Sequence, residues 1–275
     1  MGLLDRFRLD GQVVVITGGA GMLGREHAAV VAELGGTPVL WDIHLGALEE
    51  AKSQVDGEWG VTCHCQVVDI TNLESVQAAA NELIDLFGGI HVLINNAANN
   101  PKVEPGADLS VGRFEKMPLD MWNADLAVGL TGAMLCCRVI GHHMALHAGG
   151  VILNIASDLG VIAPDQRLYQ KEGVAEDMQP VKPVTYSVVK HGLIGLTRYI
   201  ATYWPGQGVR CNAIAPGGIQ TQQDAEFLKR IEKLIPMKRM AQRDEYRSAV
   251  AFLISDASSY MTGSVMSIDG GRTAW

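Results

Sequence analysis

The sequence predicts one α/β domain in which a parallel sheet of seven strands is doubly wound, with helices on both faces. Its 275 residues are 48% hydrophobic, which is enough to bury one full core. Short apolar runs alternate along the chain with stretches of helical periodicity. The runs are continuously apolar, which is typical of strands buried on both faces of a parallel sheet. Helices between the strands supply right-handed crossovers.

The predicted strands follow in order along the chain. The first, residues 13–17, ends in glycines and precedes a helical pattern over residues 24–34. The others lie at residues 38–41, 61–68, 91–95, 151–156, 209–214 and 265–268. This alternation predicts a Rossmann-type fold, in which ligands bind at the carboxyl ends of the strands. Residues 1–275 are therefore predicted as a single domain, with long loops at 99–120 and 158–185.

The composition excludes several classes of function. A formal net charge of −8 argues against a nucleic-acid surface, which needs a basic stripe. Charges at Asp5 and Arg6 interrupt the N-terminus, unlike a signal peptide, and no segment approaches the roughly 18 apolar residues of a membrane span. We therefore expect a cytoplasmic protein without a membrane partner.

The cysteines predict no metal site. Five scattered cysteines are an odd number, as expected of reduced thiols in a cytosolic fold. Cys63 and Cys65 flank a histidine, but no second ligand pair at zinc-like spacing accompanies them.

A glycine-rich turn joins the first strand to the first helix. Glycines permit a tight turn and the close approach of phosphate, while free N–H groups and the helix dipole at its start favour negative charge. The alternative is a purely structural turn. The residues predicted to hold the pyrophosphate of a dinucleotide are Gly18, Gly21, Met22, Leu23 and Gly24.

Asp42 predicts NAD as the cofactor. It follows the second strand, where a carboxylate can accept hydrogen bonds from ribose hydroxyls and repels a 2′-phosphate. No Arg or Lys lies between Thr17 and Gly24 to favour NADP. The alternative for Asp42 is an ordinary cap of the following helix.

Tyr186 and Lys190 are spaced for acid/base chemistry. They lie four residues apart on one predicted helical face, so both can act on one substrate atom. A free tyrosine, with a pKa of about 10, is a poor base near neutrality, and we expect the ammonium of Lys190 to lower that pKa. Tyr-x-x-x-Lys also occurs by chance on helices, and a serine such as Ser157 after a strand is often only a turn residue.

These features occur within a longer series of motifs that resembles the short-chain dehydrogenase/reductase family over nearly the whole chain. The series begins at the glycine turn and ends at Ile268-Asp269-Gly270-Gly271. The motifs between these two are Asp69-Ile70, Asn95 to Ala98, Ser157, Tyr186 to Lys190, and Pro216 to Thr221. By resemblance, Ser157 orients the substrate oxygen, Tyr186 exchanges the proton and Lys190 also holds the nicotinamide ribose. The residues implied to contact the cofactor elsewhere are Asp69, Ile70, Asn96, Ala97, Pro216, Gly217, Ile219 and Thr221.

Three departures from the family pattern stand out. Met22 replaces a glycine, which gives the glycine spacing of the family's extended members. Gly129 stands where the family has an asparagine that shapes a proton path, so its presence implies another donor, a slower proton step or lost activity. Ser157 and Tyr186 lie 29 positions apart, which indicates an insertion in the loop between them.

The two long loops are rich in charged residues, which favours a polar, sugar-like substrate over a steroid or fatty chain. The alternative is that these charges only solvate the surface. The Asn100-Pro101-Lys102 stretch resembles reductases of bacterial surface-sugar biosynthesis. The resemblance further implies a homodimer or homotetramer formed by the helices near 120–147 and 186–204, although burial within the subunit explains their apolar faces equally.

The sequence therefore predicts an NAD-dependent oxidoreductase that interconverts a secondary alcohol and a ketone through Ser157, Tyr186 and Lys190. Two alternatives remain open. The first is a non-catalytic NAD-binding protein, in which Gly129 marks a broken proton path. The second is an isomerase or epimerase that keeps its nucleotide and returns the hydride.

Overall fold

The computed structural model describes residues 2–99 and 109–275, and the described strands form one parallel sheet. The strands are β1 (Val13–Thr17), β2 (Thr37–Asp42), β3 (His64–Val67), β4 (Val92–Asn95), β5 (Gly150–Ile155), β6 (Val209–Pro216) and β7 (Val265–Ile268). They lie in the order β3-β2-β1-β4-β5-β6-β7. The prediction of a doubly wound Rossmann-type sheet of seven parallel strands is confirmed.

Helices cover both faces of the sheet. They are α1 (Met22–Glu33), α2 (Leu45–Trp59), α3 (Leu73–Phe87), α4 (Leu119–Leu146), α5 (Val184–Tyr203), α6 (Ala225–Leu234) and α7 (Arg247–Ile254). In β1, Val14 and Ile16 pack with α1, α2 and α7, whereas Val13 and Val15 pack with α3, α4 and α5. Both faces of the strand are buried, which explains its continuously apolar sequence.

β3 is shorter than its apolar run predicted, beginning at His64 rather than near residue 61. Side chains of α2 form hydrogen bonds with the backbone of the residue just before β3. Cys63 N–H donates to Asp56 Oδ1 at 2.7 Å, and Lys52 Nζ donates to the Cys63 carbonyl oxygen at 2.7 Å. Side chains of α2 therefore provide the hydrogen-bond partners of the Cys63 backbone N–H and carbonyl groups, and sheet pairing starts only after Cys63.

α4 corrects the expectation that no segment comes near the composition of a membrane span. Its 28 residues include a window of mean hydropathy 1.5, long and apolar enough to cross a membrane by length and composition alone. The helix nevertheless packs Cys136, Ile140 and Met144 into the core beneath the sheet. Burial accounts for part of its apolar composition, since 44% of that window is buried.

A buried polar chain links the centre of the sheet to α5. Asn95 Nδ2 donates to Asn154 Oδ1 at 2.8 Å, and Asn154 Nδ2 donates to Thr197 Oγ1 at 2.8 Å. Thr197 in turn donates to the Leu193 carbonyl oxygen at 2.7 Å. All these side chains are at most 3% exposed, so water cannot replace a lost partner.

The two long loops contact one another. Arg113 Nη1 donates to the Glu176 carbonyl oxygen at 2.7 Å, and Lys116 Nζ donates to the Asp177 carbonyl oxygen at 2.9 Å. Within the second loop, Leu168 packs against Ile231 of α6. The predicted Asn100-Pro101-Lys102 stretch lies outside the described residues.

Replacing Thr197 with valine should lower the free energy of unfolding by about 1–3 kcal/mol, because the Asn154 amide then loses its acceptor in a dry core. Urea unfolding at fixed protein concentration measures the change. Thr202→Val, on the exposed side of the same helix, is the matched control. Equal midpoints for Thr197→Val and wild type would show that the chain does not stabilise the sheet.

Candidate active site

The turn between β1 and α1 forms a cradle that only glycine can build. Gly18 has φ of +61°, and a Cβ there would lie 2.9 Å from Ala97 Cα. A Cβ at Gly24 would overlap the Gly18 carbonyl oxygen. The helix begins at Met22 behind Gly21, and no side chain caps its first N–H groups. An anion can therefore be bound by the backbone at this point.

Asp42 lies at the end of β2 beside this cradle. Its Oδ2 accepts a hydrogen bond from Ala20 N–H at 3.3 Å, and its Oδ1 accepts one from His44 N–H at 3.3 Å. The cap position of α2 is His44, without a side-chain cap bond. Asp42 thus contacts the glycine turn rather than capping α2, a place consistent with ribose binding.

Two adjoining cavities contain nearly all the predicted site residues. One, of about 730 Å³, is lined by Gly18, Gly21, Met22, Leu23, Asp42, Asp69, Ile70, Asn96 and Ala97. The other, of about 420 Å³, shares Met22, Leu23 and Asn96 with it and adds Ser157, Tyr186, Lys190, Pro216, Gly217, Ile219 and Thr221. Gly24 lines neither, because it packs against the turn beneath. The glycine cradle, the carboxylate and a continuous cleft together fit a bound dinucleotide.

Asn96 fixes the glycine turn to the neighbouring strand. Its Nδ2 donates to the carbonyl oxygens of Thr17 at 3.0 Å and Gly18 at 3.1 Å. In return, Thr17 Oγ1 accepts from the N–H groups of Asn96 at 3.0 Å and Ala97 at 3.1 Å. Asn96, which the resemblance implied to contact the cofactor, thus also holds the cradle against β4.

Ser157, Tyr186 and Lys190 meet in the smaller cavity. Ser157 lies just past β5, and its Oγ donates to Asp158 Oδ1 at 2.8 Å. Lys190 is 4% exposed, and its Nζ donates to the Ile155 carbonyl oxygen at 2.7 Å. That Nζ lies 5.7 Å from the centroid of the Tyr186 ring. The three predicted catalytic groups are therefore close enough to act on one substrate.

The expected direction of the Tyr186 pKa is wrong. Burial of the phenol raises the pKa of Tyr186 above its usual value, and a hydrogen bond with Ser157 opposes this only in part. The pKa of Lys190 is itself lowered to about 8, first by burial and then by the charge of Lys182. Lys190 is thus a weaker source of positive charge for the phenol than spacing alone suggested.

Asp158 forms a buried ion pair with Arg272. Arg272 Nη1 lies 2.6 Å from Asp158 Oδ2, and the two side chains are only 8% and 4% exposed. The other oxygen, Oδ1, accepts from Ser157 Oγ and from Leu159 N–H at 2.8 Å each. Asp158 therefore holds the Ser157 hydroxyl and is neutralised by the C-terminal segment.

The structure gives a packing reason for Gly129. A Cβ at this position would lie 2.5 Å from Val189 Cγ1, so no larger residue fits without moving Val189. A small cavity of about 70 Å³ remains between Gly129 and the start of α5, also lined by Asp125, Lys182 and Tyr186. Val189 and Gly129 are complementary in size.

Lys182 enters the same cleft from the second long loop. Its Nζ lies 3.8 Å from the centroid of the Tyr186 ring, and burial lowers its pKa. Gln166 holds its backbone, accepting from Lys182 N–H at 2.9 Å and donating to the Lys182 carbonyl oxygen at 3.3 Å. The lysine is thus fixed beside the predicted catalytic tyrosine.

Sequence reasoning missed three residues of the cleft: Lys182, Asp158 and Arg272. Asp158 had a weak signal, because it follows Ser157 directly. Lys182 was included only among the charges of its loop, and Arg272 lies 114 positions from its partner. Within the described residues, no group of three His, Cys, Asp or Glu side chains could hold a metal ion.

A separate cavity of about 710 Å³ lies between α3, α4 and α5, away from the cleft. It is lined by His142, His143 and His147 together with Tyr199 and Trp204. Two of these helices, α4 and α5, are the ones for which the family resemblance implied contacts between subunits, and the histidines lie on this surface.

Comparisons with known proteins agree with this geometry. A family model described as enoyl-(acyl carrier protein) reductase matches residues 18–273. D-threitol dehydrogenase from Mycolicibacterium smegmatis is 33% identical over 272 residues, which cover 97% of this chain and 95% of that protein. Galactitol 2-dehydrogenase from Rhizobium johnstonii is 30% identical over 281 residues, which cover 100% of both.

A solved structure is similar over its full length. The crystal structure of a gluconate 5-dehydrogenase from Burkholderia cenocepacia, in complex with NADP and tartrate, has a TM-score of 0.85 and 28% identity, with 100% of both chains covered. Sequence and structure thus agree that this chain belongs to the short-chain dehydrogenase/reductase family and is an oxidoreductase that acts on alcohol groups of small polar molecules with a nicotinamide cofactor.

Proposed function

We propose that this protein is an NAD-dependent dehydrogenase that interconverts a secondary alcohol of a polyol or related sugar derivative with its ketone. The observation that carries the proposal is the single cleft that joins the glycine cradle and Asp42 to Ser157, Tyr186 and Lys190. The names of relatives that act on threitol and galactitol support a polyhydroxylated substrate.

Each of the three groups has a separate role in the proposed reaction. Ser157 donates to the substrate oxygen and orients it, once it leaves its present partner Asp158. Tyr186 accepts the hydroxyl proton during oxidation and returns it during reduction. Lys190, fixed by the Ile155 carbonyl oxygen, binds the ribose and supplies positive charge. A bound nicotinamide carries the hydride.

NAD is the proposed cofactor because of Asp42. A carboxylate that already contacts the glycine turn accepts ribose hydroxyls and repels a 2′-phosphate. The gluconate 5-dehydrogenase structure contains NADP, so the preference needs a direct test. The cytoplasmic location, the homodimer or homotetramer and the absence of membrane or nucleic-acid partners stay predictions.

The non-catalytic alternative rested on Gly129. Because Val189 fills the space beside it, Gly129 belongs to a matched packing pair and does not by itself indicate a damaged site. The isomerase alternative predicts that the protein holds its nucleotide tightly and releases no net NADH. Measurement of NADH absorbance distinguishes this outcome from dehydrogenase turnover.

Replacing Tyr186 with phenylalanine should lower kcat for polyol oxidation by about 100- to 10,000-fold, because the proton acceptor is lost. NADH absorbance with threitol, galactitol, sugar phosphates and simple secondary alcohols measures turnover. The control is Tyr260→Phe, a fully exposed tyrosine outside the cleft. Unchanged turnover in Tyr186→Phe, or NAD binding with no NADH release on any substrate, would contradict the proposal.

Replacing Asp42 with asparagine should raise the KM for NAD by about tenfold or more, because a charged hydrogen-bond acceptor of the ribose is removed. The same change should improve the use of NADP relative to NAD. Steady-state kinetics with both cofactors check it, with Glu49→Gln on the exposed side of α2 as control. A wild-type preference for NADP would refute the choice of NAD.

Alcohol oxidation should accelerate as the pH rises from neutral towards about pH 10, because the phenolate accepts the proton and burial raises the pKa of Tyr186. Ketone reduction should show the opposite trend. Because the pKa of Lys190 is lowered to about 8 in the same cleft, its positive charge is lost above that pH, and the rise in rate should become shallower there. A plateau of kcat/KM for oxidation below neutral pH would be inconsistent with this environment.

A further inference from the structure

Lys182 is a cation of the cleft that forms no ion pair with any carboxylate of the described residues. Its ammonium lies 3.8 Å from the centroid of the Tyr186 ring, and burial lowers its pKa more than the charge of Asp158, which is already paired with Arg272, raises it. A desolvated ammonium without a carboxylate is costly, so an anion at this position would be bound favourably.

The carboxylates that line the cavity around Ser157 and the small cavity beside Gly129, Asp158 and Asp125, are already engaged. Asp158 has both oxygens occupied, by Ser157 and Leu159 on one side and by Arg272 on the other. Asp125 accepts from Thr185 Oγ1 at 2.6 Å. Arg272 is likewise neutralised by its ion pair. Among the described residues of these two cavities, the charges without an ion-pair partner are therefore those of Lys182 and Lys190.

Lys182 lies next to the groups that are proposed to react with the substrate. Lys190 is directed to the Ile155 carbonyl oxygen, whereas Lys182 lies over the face of Tyr186 and lines the cavity that contains Ser157. An anion bound by Lys182 would therefore lie beside the phenol, within a few carbon atoms of the alcohol that Tyr186 deprotonates. Gln166 binds the backbone of Lys182, and the contact with the Tyr186 ring places its ammonium in the cleft before substrate binds.

We propose that Lys182 is a specificity-determining residue that binds the carboxylate of a polyhydroxylated acid, which makes sugar acids of the aldonate class the preferred substrates. The single charge of one ammonium matches that of a carboxylate, whereas a phosphate monoester carries nearly two negative charges, and Arg272 is already paired with Asp158. The inference rests on the proposed dehydrogenase function, since it names the substrate class of that same site.

The alternative is that Lys182 only adjusts Tyr186. In that case its loss slows oxidation of neutral and acidic substrates alike, because both depend on the same phenol. Carboxylate recognition instead changes the ratio of kcat/KM between a sugar acid and the polyol of equal chain length. The ratio therefore separates the two explanations.

The test compares wild type with Lys182→Gln on matched pairs: D-threonate against D-threitol, D-galactonate against galactitol, and D-gluconate against D-glucitol. The control is Lys171→Gln, an exposed lysine in the same loop. Wild type should prefer the acids, and Lys182→Gln should lower the acid-to-polyol ratio by about 10- to 100-fold, the loss of one charged hydrogen bond. D-glucitol 6-phosphate tests the phosphate alternative. A wild-type preference for it or for the neutral polyols overturns the inference.

A binding measurement separates this inference from the proposed function. Isothermal titration of tartrate into protein saturated with NADH should show binding in wild type and Lys171→Gln that Lys182→Gln loses, and threitol should bind without this difference. NADH titration of each variant reports whether the cofactor cleft is intact. Lys182-dependent tartrate binding without turnover on any substrate would support the inference while the dehydrogenase proposal fails. If neither the ratio nor tartrate binding depends on Lys182, the inference is wrong.

Discussion

A continuous set of side-chain amides joins the cofactor turn to the helix that carries Tyr186 and Lys190. Asn96 binds the carbonyl oxygens of the glycine turn, and the residue before it, Asn95, binds Asn154 on the next strand. Asn154 then binds Thr197 of α5. Apolar packing alone tolerates small shifts, whereas buried amides require fixed donor and acceptor positions. The distance between the cradle and the predicted catalytic groups therefore depends on these hydrogen bonds.

Hydrogen bonds and an ion pair also fix the charged groups around the cleft. Asp158 is fixed by Ser157 and Arg272, so the serine hydroxyl is oriented by a carboxylate whose own charge is already balanced. This arrangement couples the C-terminal segment to the substrate site. It also leaves Lys182 and Lys190 as the charges that a substrate meets, and their mutual repulsion contributes to the lowered pKa of Lys190.

The sequence predicted features that depend on local spacing. Strands buried on both faces leave continuous apolar runs, and a Tyr-x-x-x-Lys spacing on a helix places both side chains on one face. Contacts between distant segments left no such pattern. The start of β3 depends on how Asp56 and Lys52 bind Cys63, and Arg272 binds a partner 114 positions earlier in the chain, Asp158. The pKa of Tyr186 was mispredicted because it depends mainly on burial, which spacing does not report.

Gly129 illustrates how a departure from a family pattern changes meaning once its neighbours are known. Taken alone, the missing asparagine suggested an impaired proton path. In the structure, Val189 occupies the adjacent space, so an asparagine at 129 requires a smaller residue at 189 as well. The two positions form one packing unit. The small cavity beside them is also lined by Asp125, Thr185, Lys182 and Tyr186. Gly129 is therefore bordered by an apolar side chain on one side and by a small cavity with polar lining on the other.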